Sequence, residues 1–136
     1  MFILDTNVIS ELRRPKKADS KVLAWASATP VAQTYLSAVT ILEIELGQQL
    51  MERKDKIHGR ALRDWIDRVI LPRYDGRILA VDTGVAQACA RLHVPDPRSE
   101  RDALIAATAL VHSMTVVTRN VADFQMGGLT IVNPWN

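Results

Sequence analysis

Short apolar runs alternate along the chain with longer stretches in which apolar residues recur at the spacing of an α-helix. The short runs are typical of buried strands, and the longer stretches are typical of helices that pack on a sheet. Strands joined by helices form a parallel sheet, so the pattern predicts an α/β layer sandwich. The predicted strands are Phe2–Asp5, Gln33–Ser37, Arg77–Val81, Thr115–Thr118 and Thr130–Val132. The predicted helices are Asn7–Arg13, Ser20–Ala28, Thr40–Arg53, Lys56–Ile70, Thr83–Leu92 and Arg101–His112.

Prolines fall where this alternation breaks. Pro15 is predicted to end the first helix, and Pro30 and Pro72 are predicted to lie in connections. No low-complexity linker divides the chain, and 136 residues, 48% of them hydrophobic, can bury a core without disulfides or a structural metal. We therefore expect a single domain over residues 1–136.

Cysteine content and hydropathy bear on the compartment. Cys89 has no partner for a disulfide, and no signal-peptide pattern precedes Asp5. The longest mostly apolar run, Leu104–Val111, is far shorter than the roughly 20 residues that cross a bilayer. These features predict a soluble, cytoplasmic protein with no membrane partner.

The chain has 17 Lys and Arg residues against 15 Asp and Glu residues, and the net charge of +2 alone says little about partners. Local clusters of cations say more, because they attract polyanions. Taken singly, each charge is better explained as part of a solvated helix face. A second basic-leaning stretch runs from Arg53 to Arg77. The first cluster, near the N-terminus, contains Arg13, Arg14, Lys16, Lys17 and Lys21.

Several kinds of site are excluded by inspection. The glycines form neither a phosphate-binding loop nor a dinucleotide fingerprint, no serine lies in a G-x-S-x-G elbow, and the histidines lack the companions of a zinc site. What remains is a set of acids near predicted strand ends and helix starts, where α/β sheets collect catalytic groups. These acids are Asp5, Glu43, Asp102 and Asp123.

Carboxylates at one edge of a sheet suit a hard divalent cation, because Mg²⁺ and Mn²⁺ prefer oxygen ligands. A cation held there can activate water against a phosphodiester, which is the chemistry of a nuclease. Neutral side chains next to the acids can orient ligands or water. They are Thr6, Asn7, Thr118 and Asn120.

Helix capping is the alternative role for these acids taken one at a time. Thr40-x-x-Glu43 and Ser99-x-x-Asp102 both match the capping box, in which an acid at the third helical position folds back onto the helix start. Asp5 alone fits the same kind of role at the start of the first helix. The metal-site hypothesis therefore depends on all four acids meeting at one edge.

Five segments, in order along essentially the whole chain, carry a resemblance to a known family. They are Phe2-Ile-Leu-Asp-Thr-Asn-Val-Ile-Ser-Glu, Ser37-Ala-Val-Thr-Ile-Leu-Glu-Ile-Glu-Leu-Gly, Asp102-Ala-Leu-Ile-Ala-Ala-Thr-Ala, Val117-Thr-Arg-Asn-Val-Ala-Asp-Phe and Asn133-Pro-Trp. The chain resembles the PIN-domain ribonucleases and, among them, the FitB-like branch of the VapC-type toxins of type II toxin–antitoxin pairs. The resemblance implies a three-layer α/β sandwich with a central, mostly parallel five-stranded sheet.

The resemblance also implies a metal-dependent endoribonuclease in which Mg²⁺ or Mn²⁺ activates the attacking water. Asp5 and Asp102 become the principal metal ligands, and Glu43 and Asp123 become further ligands. Glu43 is preferred over Glu45 because the family's acid stands four residues before a glycine, here Gly47.

Other positions take their roles from the same comparison. Thr118 and Asn120 match polar positions that accompany the last acid, and Asp82 matches no ligand position, so we assign it to helix capping. Arg119 lies next to the site and is a candidate contact for substrate phosphate. The alternative, given equal weight, is that Arg119 is a surface residue without a role in binding.

Partners are implied in the same way. Toxins of this kind are homodimers that bind a small antitoxin, whose tail fills the acidic cleft and whose other end binds operator DNA. An RNA substrate is implied, but which RNA is cleaved is left open. The stretch between Leu92 and Asp102 is shorter than expected in this branch, which affects the substrate entrance and not the four acids.

Two other function classes stay open. A non-catalytic module that binds RNA or an antitoxin would use the acids only as caps, and metal-dependent turnover would exclude it. A phosphatase of the haloacid-dehalogenase type also carries an Asp after its first strand, but it needs a second Asp where this chain has Asn7.

Overall fold

The structure is a computed structural model that describes residues 1–136. Its five strands form one sheet in the order β3-β2-β1-β4-β5, and every neighbouring pair is parallel. The sheet is therefore fully parallel, where the resemblance implied a mostly parallel one. The strands are β1 (Phe2–Leu4), β2 (Thr34–Ser37), β3 (Ile78–Leu79), β4 (Thr115–Val117) and β5 (Ile131–Val132).

Helices cover both faces of the sheet and connect the strands. Two of them have the predicted bounds, and the others differ from prediction at one or both ends. Short 3₁₀ turns span Val31–Gln33 and Val121–Phe124. No helix of this structure combines the length and the hydropathy of a membrane-spanning segment. They are α1 (Thr6–Leu12), α2 (Ser20–Ala28), α3 (Ala38–Lys54), α4 (Lys56–Trp65), α5 (Leu71–Arg73), α6 (Thr83–Leu92) and α7 (Glu100–Val111).

The sheet separates two hydrophobic clusters, because successive residues of a strand point to opposite faces. On β1, Leu4 packs into a cluster with Ile9 of α1 and Ile44 of α3. Its neighbour Ile3 packs into a second cluster that contains Ile105 of α7. Helix, sheet and helix thus form three layers, which confirms the predicted α/β sandwich.

Helix α3 begins two residues before the predicted start, and the Thr40–Glu43 capping box is therefore wrong. Ser37 ends β2 and is itself the N-cap, where its hydroxyl accepts a hydrogen bond from the backbone N–H of Val39 at 3.0 Å. Because strand and helix join without a loop, Thr40 lies inside the helix and is fully buried. The second box is not formed either, since the Ser99 side chain makes no capping hydrogen bond to α7.

The helix predicted over Lys56–Ile70 continues further, and the placement of Pro72 in a connection is wrong. Beyond α4, residues Ile66–Ile70 form a π-helical turn, in which the N–H of Leu71 donates to the carbonyl of Ile66. A proline inside a regular α-helix loses one hydrogen bond and clashes with the carbonyl four residues earlier. The wider turn shifts the helical register just ahead of Pro72, so that the chain continues into α5.

Helices α3 and α4 approach closely at Gly59, which is buried. A Cβ atom at Gly59 would lie 2.4 Å from the Cα atom of Glu52. The side chain of Gln48 donates to the carbonyl of Gly59 at 3.2 Å. The missing side chain at Gly59 therefore sets the separation of these two helices.

We expect Gly59→Ala to lower the free energy of unfolding by about 1–3 kcal/mol, because the added methyl group overpacks the contact between α3 and α4. Gly47 on α3 is the matched control, since a Cβ there meets nothing within 4 Å. Gly47→Ala is expected to raise the free energy of unfolding by about 0.5–1 kcal/mol through helix propensity. Urea denaturation measures both, and a similar change in the two variants would contradict the close contact.

Candidate active site

Asp5 lies directly after the central strand and is buried, with 6% of its surface exposed. Its backbone N–H donates to the carbonyl of Val117 at 2.9 Å, which extends the pairing of β1 with β4. Oδ1 accepts a hydrogen bond from the N–H of Thr6 at 2.8 Å. Oδ2 accepts from the hydroxyl of Thr118 at 2.7 Å and from the amide of Asn7 at 3.3 Å. These contacts fix the carboxylate in one orientation.

Thr118 and Asn7 tie the loop after β4 to the start of α1. The hydroxyl oxygen of Thr118, which is fully buried, accepts from the backbone N–H of Asn120 at 3.0 Å, so its own proton is directed to Asp5. The side-chain oxygen of Asn7 accepts from the N–H of Arg119 at 3.4 Å. Asn120 therefore acts here through its backbone, and Asn7 contacts both sides of the site.

Glu43 lies in the second turn of α3 and is partly exposed. Its Oε1 accepts from the hydroxyl of Thr6 at 2.6 Å, so Thr6 contacts two acids, one through its backbone and one through its side chain. Glu45 has a different environment, because Arg63 of α4 donates to both of its carboxylate oxygens, at 2.7 and 2.8 Å. Those hydrogen bonds lower the pKa of Glu45. Of these two acids of α3, Glu43 is the one that contacts the site.

Asp102 and Asp123 complete the group of acids. Asp102 lies in the first turn of α7 and is partly buried, and Asp123 lies in the 3₁₀ turn after β4 and is exposed. Burial raises the pKa of Asp102, and the nearby carboxylates of Asp5 and Asp123 raise it further. Burial likewise raises the pKa of Asp5, with smaller contributions from Glu43 and Asp123. Asp5 and Asp102 are therefore each close enough to other acids of the group to be affected by their charge.

The donor set suits a divalent cation, although it does not form a complete cage. No three Asp, Glu, His or Cys side chains surround a common point in this structure. A complete cage is not required, because Mg²⁺ keeps several waters and is often held by only one or two carboxylates. Mutually repelling carboxylates, one of them buried, fit such an ion.

Arg101 is a site residue that the sequence reasoning missed. Its guanidinium nitrogen lies 3.8 Å from Oε2 of Glu43. The available signal was its position in the first turn of α7, where a cation is disfavoured by the helix dipole and therefore calls for another explanation.

Two further assignments concern residues at the margin of the site. Asp82 caps α6, because its Oδ1 accepts from the N–H of Val85 at 2.9 Å, and this confirms the capping assignment. Arg119 is exposed, and its guanidinium carbon lies 5.3 Å from the ring centroid of Trp135, a cation–π contact. The short stretch after Leu92 spans residues 93–99, and α7 begins directly after it.

Comparison with known proteins identifies the family. The family model of the PIN domain matches residues 2–125. This chain belongs to the PIN-domain family. Toxin FitB of Neisseria gonorrhoeae is 37% identical over 145 residues, which cover 100% of this chain and 99% of FitB. The VapC ribonuclease Y4jK of Sinorhizobium fredii is 36% identical over 143 residues, which cover 99% of this chain and 98% of that protein.

Solved structures agree with this placement in the PIN-domain family. FitAB bound to the IR36 DNA fragment matches with a TM-score of 0.89 and 38% identity, over 100% of this chain and 96% of that one. Toxin–antitoxin complexes are among the other solved structures that share the fold. The resemblance to FitB-like, VapC-type toxins is therefore confirmed.

Asp5→Asn is expected to leave the metal-free PIN domain as stable as the wild type, or more stable. The folded-state pKa of Asp5 is raised, so ionisation of Asp5 costs stability as the pH rises through that value. The advantage of the variant should be present at pH 7, shrink as the pH falls through the raised pKa of Asp5, and be absent near pH 3, below the ordinary Asp pKa of about 3.9. Thermal unfolding in EDTA at both pH values tests this, and a clear fall in Tm at pH 7 would count against clustered acids.

Thr118→Val is expected to raise the pKa of Asp5 further, because the Thr118 hydrogen bond is the strongest influence that lowers it. It should also cost about 1.5–3 kcal/mol of stability, the usual range for a hydrogen bond to a charged group. Thr118→Ser keeps the hydroxyl and serves as the control. NMR titration of the metal-free protein measures the pKa of the Asp5 carboxyl group directly. Equal pKa values in the two variants would show that the Thr118 hydrogen bond does not affect the pKa of Asp5.

Proposed function

We propose that this PIN-domain protein is a Mg²⁺- or Mn²⁺-dependent endoribonuclease and the toxin of a toxin–antitoxin pair. The observation that carries the proposal is buried Asp5 at the carboxyl edge of the sheet, joined to Glu43 through Thr6 and near enough to Asp102 and Asp123 for the charges to interact. A relative of nearly equal length is named a VapC ribonuclease, and another is named a toxin. Chemistry and kinship therefore support the same activity.

Asp5 and Asp102 are the principal candidates for holding the cation, and Glu43 and Asp123 are candidates for further ligands. When bound, the cation would lower the pKa of a water and stabilise charge on the phosphodiester. Asp5 is suited to a principal role because its orientation is fixed and because its burial makes an uncompensated charge costly.

The surrounding side chains hold the acids in place. Thr118 and Asn7 orient Asp5, and the hydroxyl of Thr6 orients Glu43. Arg101 offsets part of the negative charge beside Glu43. Arg119, held over Trp135, is the candidate for contact with a substrate phosphate, because a guanidinium presents paired donors to phosphate oxygens.

The proposed partners follow from kinship. We expect a homodimer that binds a small antitoxin in the cytoplasm and reaches operator DNA only through it. FitAB, the similar complex, is bound to a DNA fragment. A basic antitoxin side chain placed among the four acids would compete with a cation for the same carboxylates. That competition is a physical route to inhibition.

Cleavage of a mixed RNA pool by the purified protein tests the activity. We expect cleavage with Mg²⁺ or Mn²⁺, none with EDTA, and a loss of at least about 100-fold in Asp5→Asn, a typical cost of removing a group that stabilises transition-state charge. Mapping the new RNA ends would identify the cleavage sites.

Asp82→Asn is the matched control, because it removes a carboxylate at an equivalent strand-to-helix junction outside the acidic site, and Asn caps a helix about as well as Asp. It should retain wild-type cleavage. Absence of cleavage by antitoxin-free protein would favour a non-catalytic binding module. Turnover of aryl phosphates through a covalent Asp5 intermediate would favour the phosphatase alternative.

A further inference from the structure

A basic pocket opens at the C-terminal end of α1, where no function has yet been assigned. Its volume is about 410 Å³, and no hydrophobic side chain lines it. Three of its side chains are cations at pH 7, and they belong to the basic cluster near the N-terminus. The lining residues are Ser10, Glu11, Arg13, Arg14, Lys17 and His58.

The basic pocket adjoins the Glu43 side of the acidic site. Ser10 and Arg13 also line a smaller pocket of about 170 Å³, whose other walls include Thr6 and Glu43. Helix α1 begins at Thr6, so a rise of 1.5 Å per residue places Arg13 about 10 Å along the axis from the acids. A nucleic-acid strand bound at the acids would therefore have the basic pocket about 10 Å away along α1.

The cations of the pocket lack partners of opposite charge. The ion pairs of the structure involve Arg63 and Arg101, and none involves Arg13, Arg14 or Lys17. They are therefore available to neutralise a ligand's charge.

Local contacts hold the pocket's polar groups in place. Arg14 lies 3.2 Å from Nε2 of His58, which accepts this hydrogen bond when the imidazole is neutral. The guanidinium of Arg13 lies 5.9 Å from the ring centroid of Trp65, and burial lowers the pKa of Arg13. Glu11, the acid of the pocket, accepts a hydrogen bond from the N–H of Asp19 at 2.7 Å and is thus engaged by the backbone.

We propose that this pocket binds backbone phosphates of a single-stranded RNA whose scissile bond lies at the Asp5 site. The inference rests on the proposed nuclease function, because an RNA held at the acids must continue past one side of them or the other. The four carboxylates repel an incoming polyanion, and neighbouring cations offset that repulsion. Guanidinium groups bind phosphate through paired hydrogen bonds, which suits Arg14 at the exposed rim.

The salt dependence of RNA binding tests the pocket separately from catalysis. The probe is a short fluorescein-labelled single-stranded RNA, bound by Asp5→Asn protein in EDTA so that neither metal nor cleavage contributes. Arg14→Gln and Lys17→Gln each remove one exposed cation of the pocket. Arg91→Gln removes an exposed cation on α6, in a pocket that shares no residue with the basic one.

Each pocket variant is expected to weaken RNA binding several-fold and to reduce the slope of log affinity against log salt by about 0.7, the value for one phosphate contact with a single strand. Arg91→Gln is expected to change neither. Melting temperatures should match in all three variants, since the altered side chains are exposed.

Slopes that change no more in the pocket variants than in Arg91→Gln would overturn the inference. So would a loss of antitoxin binding in the pocket variants with RNA binding intact, since that would assign the pocket to a protein partner. The nuclease proposal is tested separately. It fails if the wild-type protein does not cleave RNA with Mg²⁺ or Mn²⁺, whereas the salt dependence of RNA binding is measured without cleavage.

Discussion

The burial of one carboxylate, that of Asp5, constrains the structure around it. A buried carboxylate loses its hydration and must recover hydrogen bonds from the protein. The N–H of Thr6 and the hydroxyl of Thr118 supply them, and these donors come from chain segments more than a hundred residues apart. They meet because β1 pairs with β4 in a register that aligns Leu4 with Val117. The position of the acid is thus inseparable from the central pairing of the sheet.

The sequence predicts much of the fold because its signals are local. Asp19 and Asp82 each precede a helical period, and each caps its helix, so the first residues of α2 and α6 could be predicted. The start of α3 could not, because Ser37 is at once the end of a strand and the cap of a helix. The π-helical turn of Ile66–Ile70 could not be predicted, because Pro72 signals a break in the helix and not the wider turn that lets the helix continue past it.

In the candidate site, too, features with a local sequence signal could be predicted, and features that depend on long-range contacts could not. Strand ends place acids at one edge of a parallel sheet, so the acids can be named from the pattern and the resemblance. What distinguishes Glu43 from Glu45 is a long-range partner, because Arg63 binds Glu45 from another helix while Thr6 reaches Glu43. Arg101 was missed for a similar reason, since only the packing of α7 beside α3 brings it near Glu43. Local patterns do not report such partners.

The distribution of charge explains why a net charge of +2 says so little about this protein. Acids concentrate around Asp5, where burial and, to a smaller extent, repulsion between carboxylates raise the pKa values of Asp5 and Asp102. Cations concentrate beside them, with Arg13 sharing a pocket with Glu43 and Arg119 joined to the site through Asn7. The proposed nuclease function would need both regions, because carboxylates that hold a metal ion also repel a polyanionic substrate. With the acids and the cations in separate regions about 10 Å apart, one small surface can hold a metal ion and still attract a polyanion.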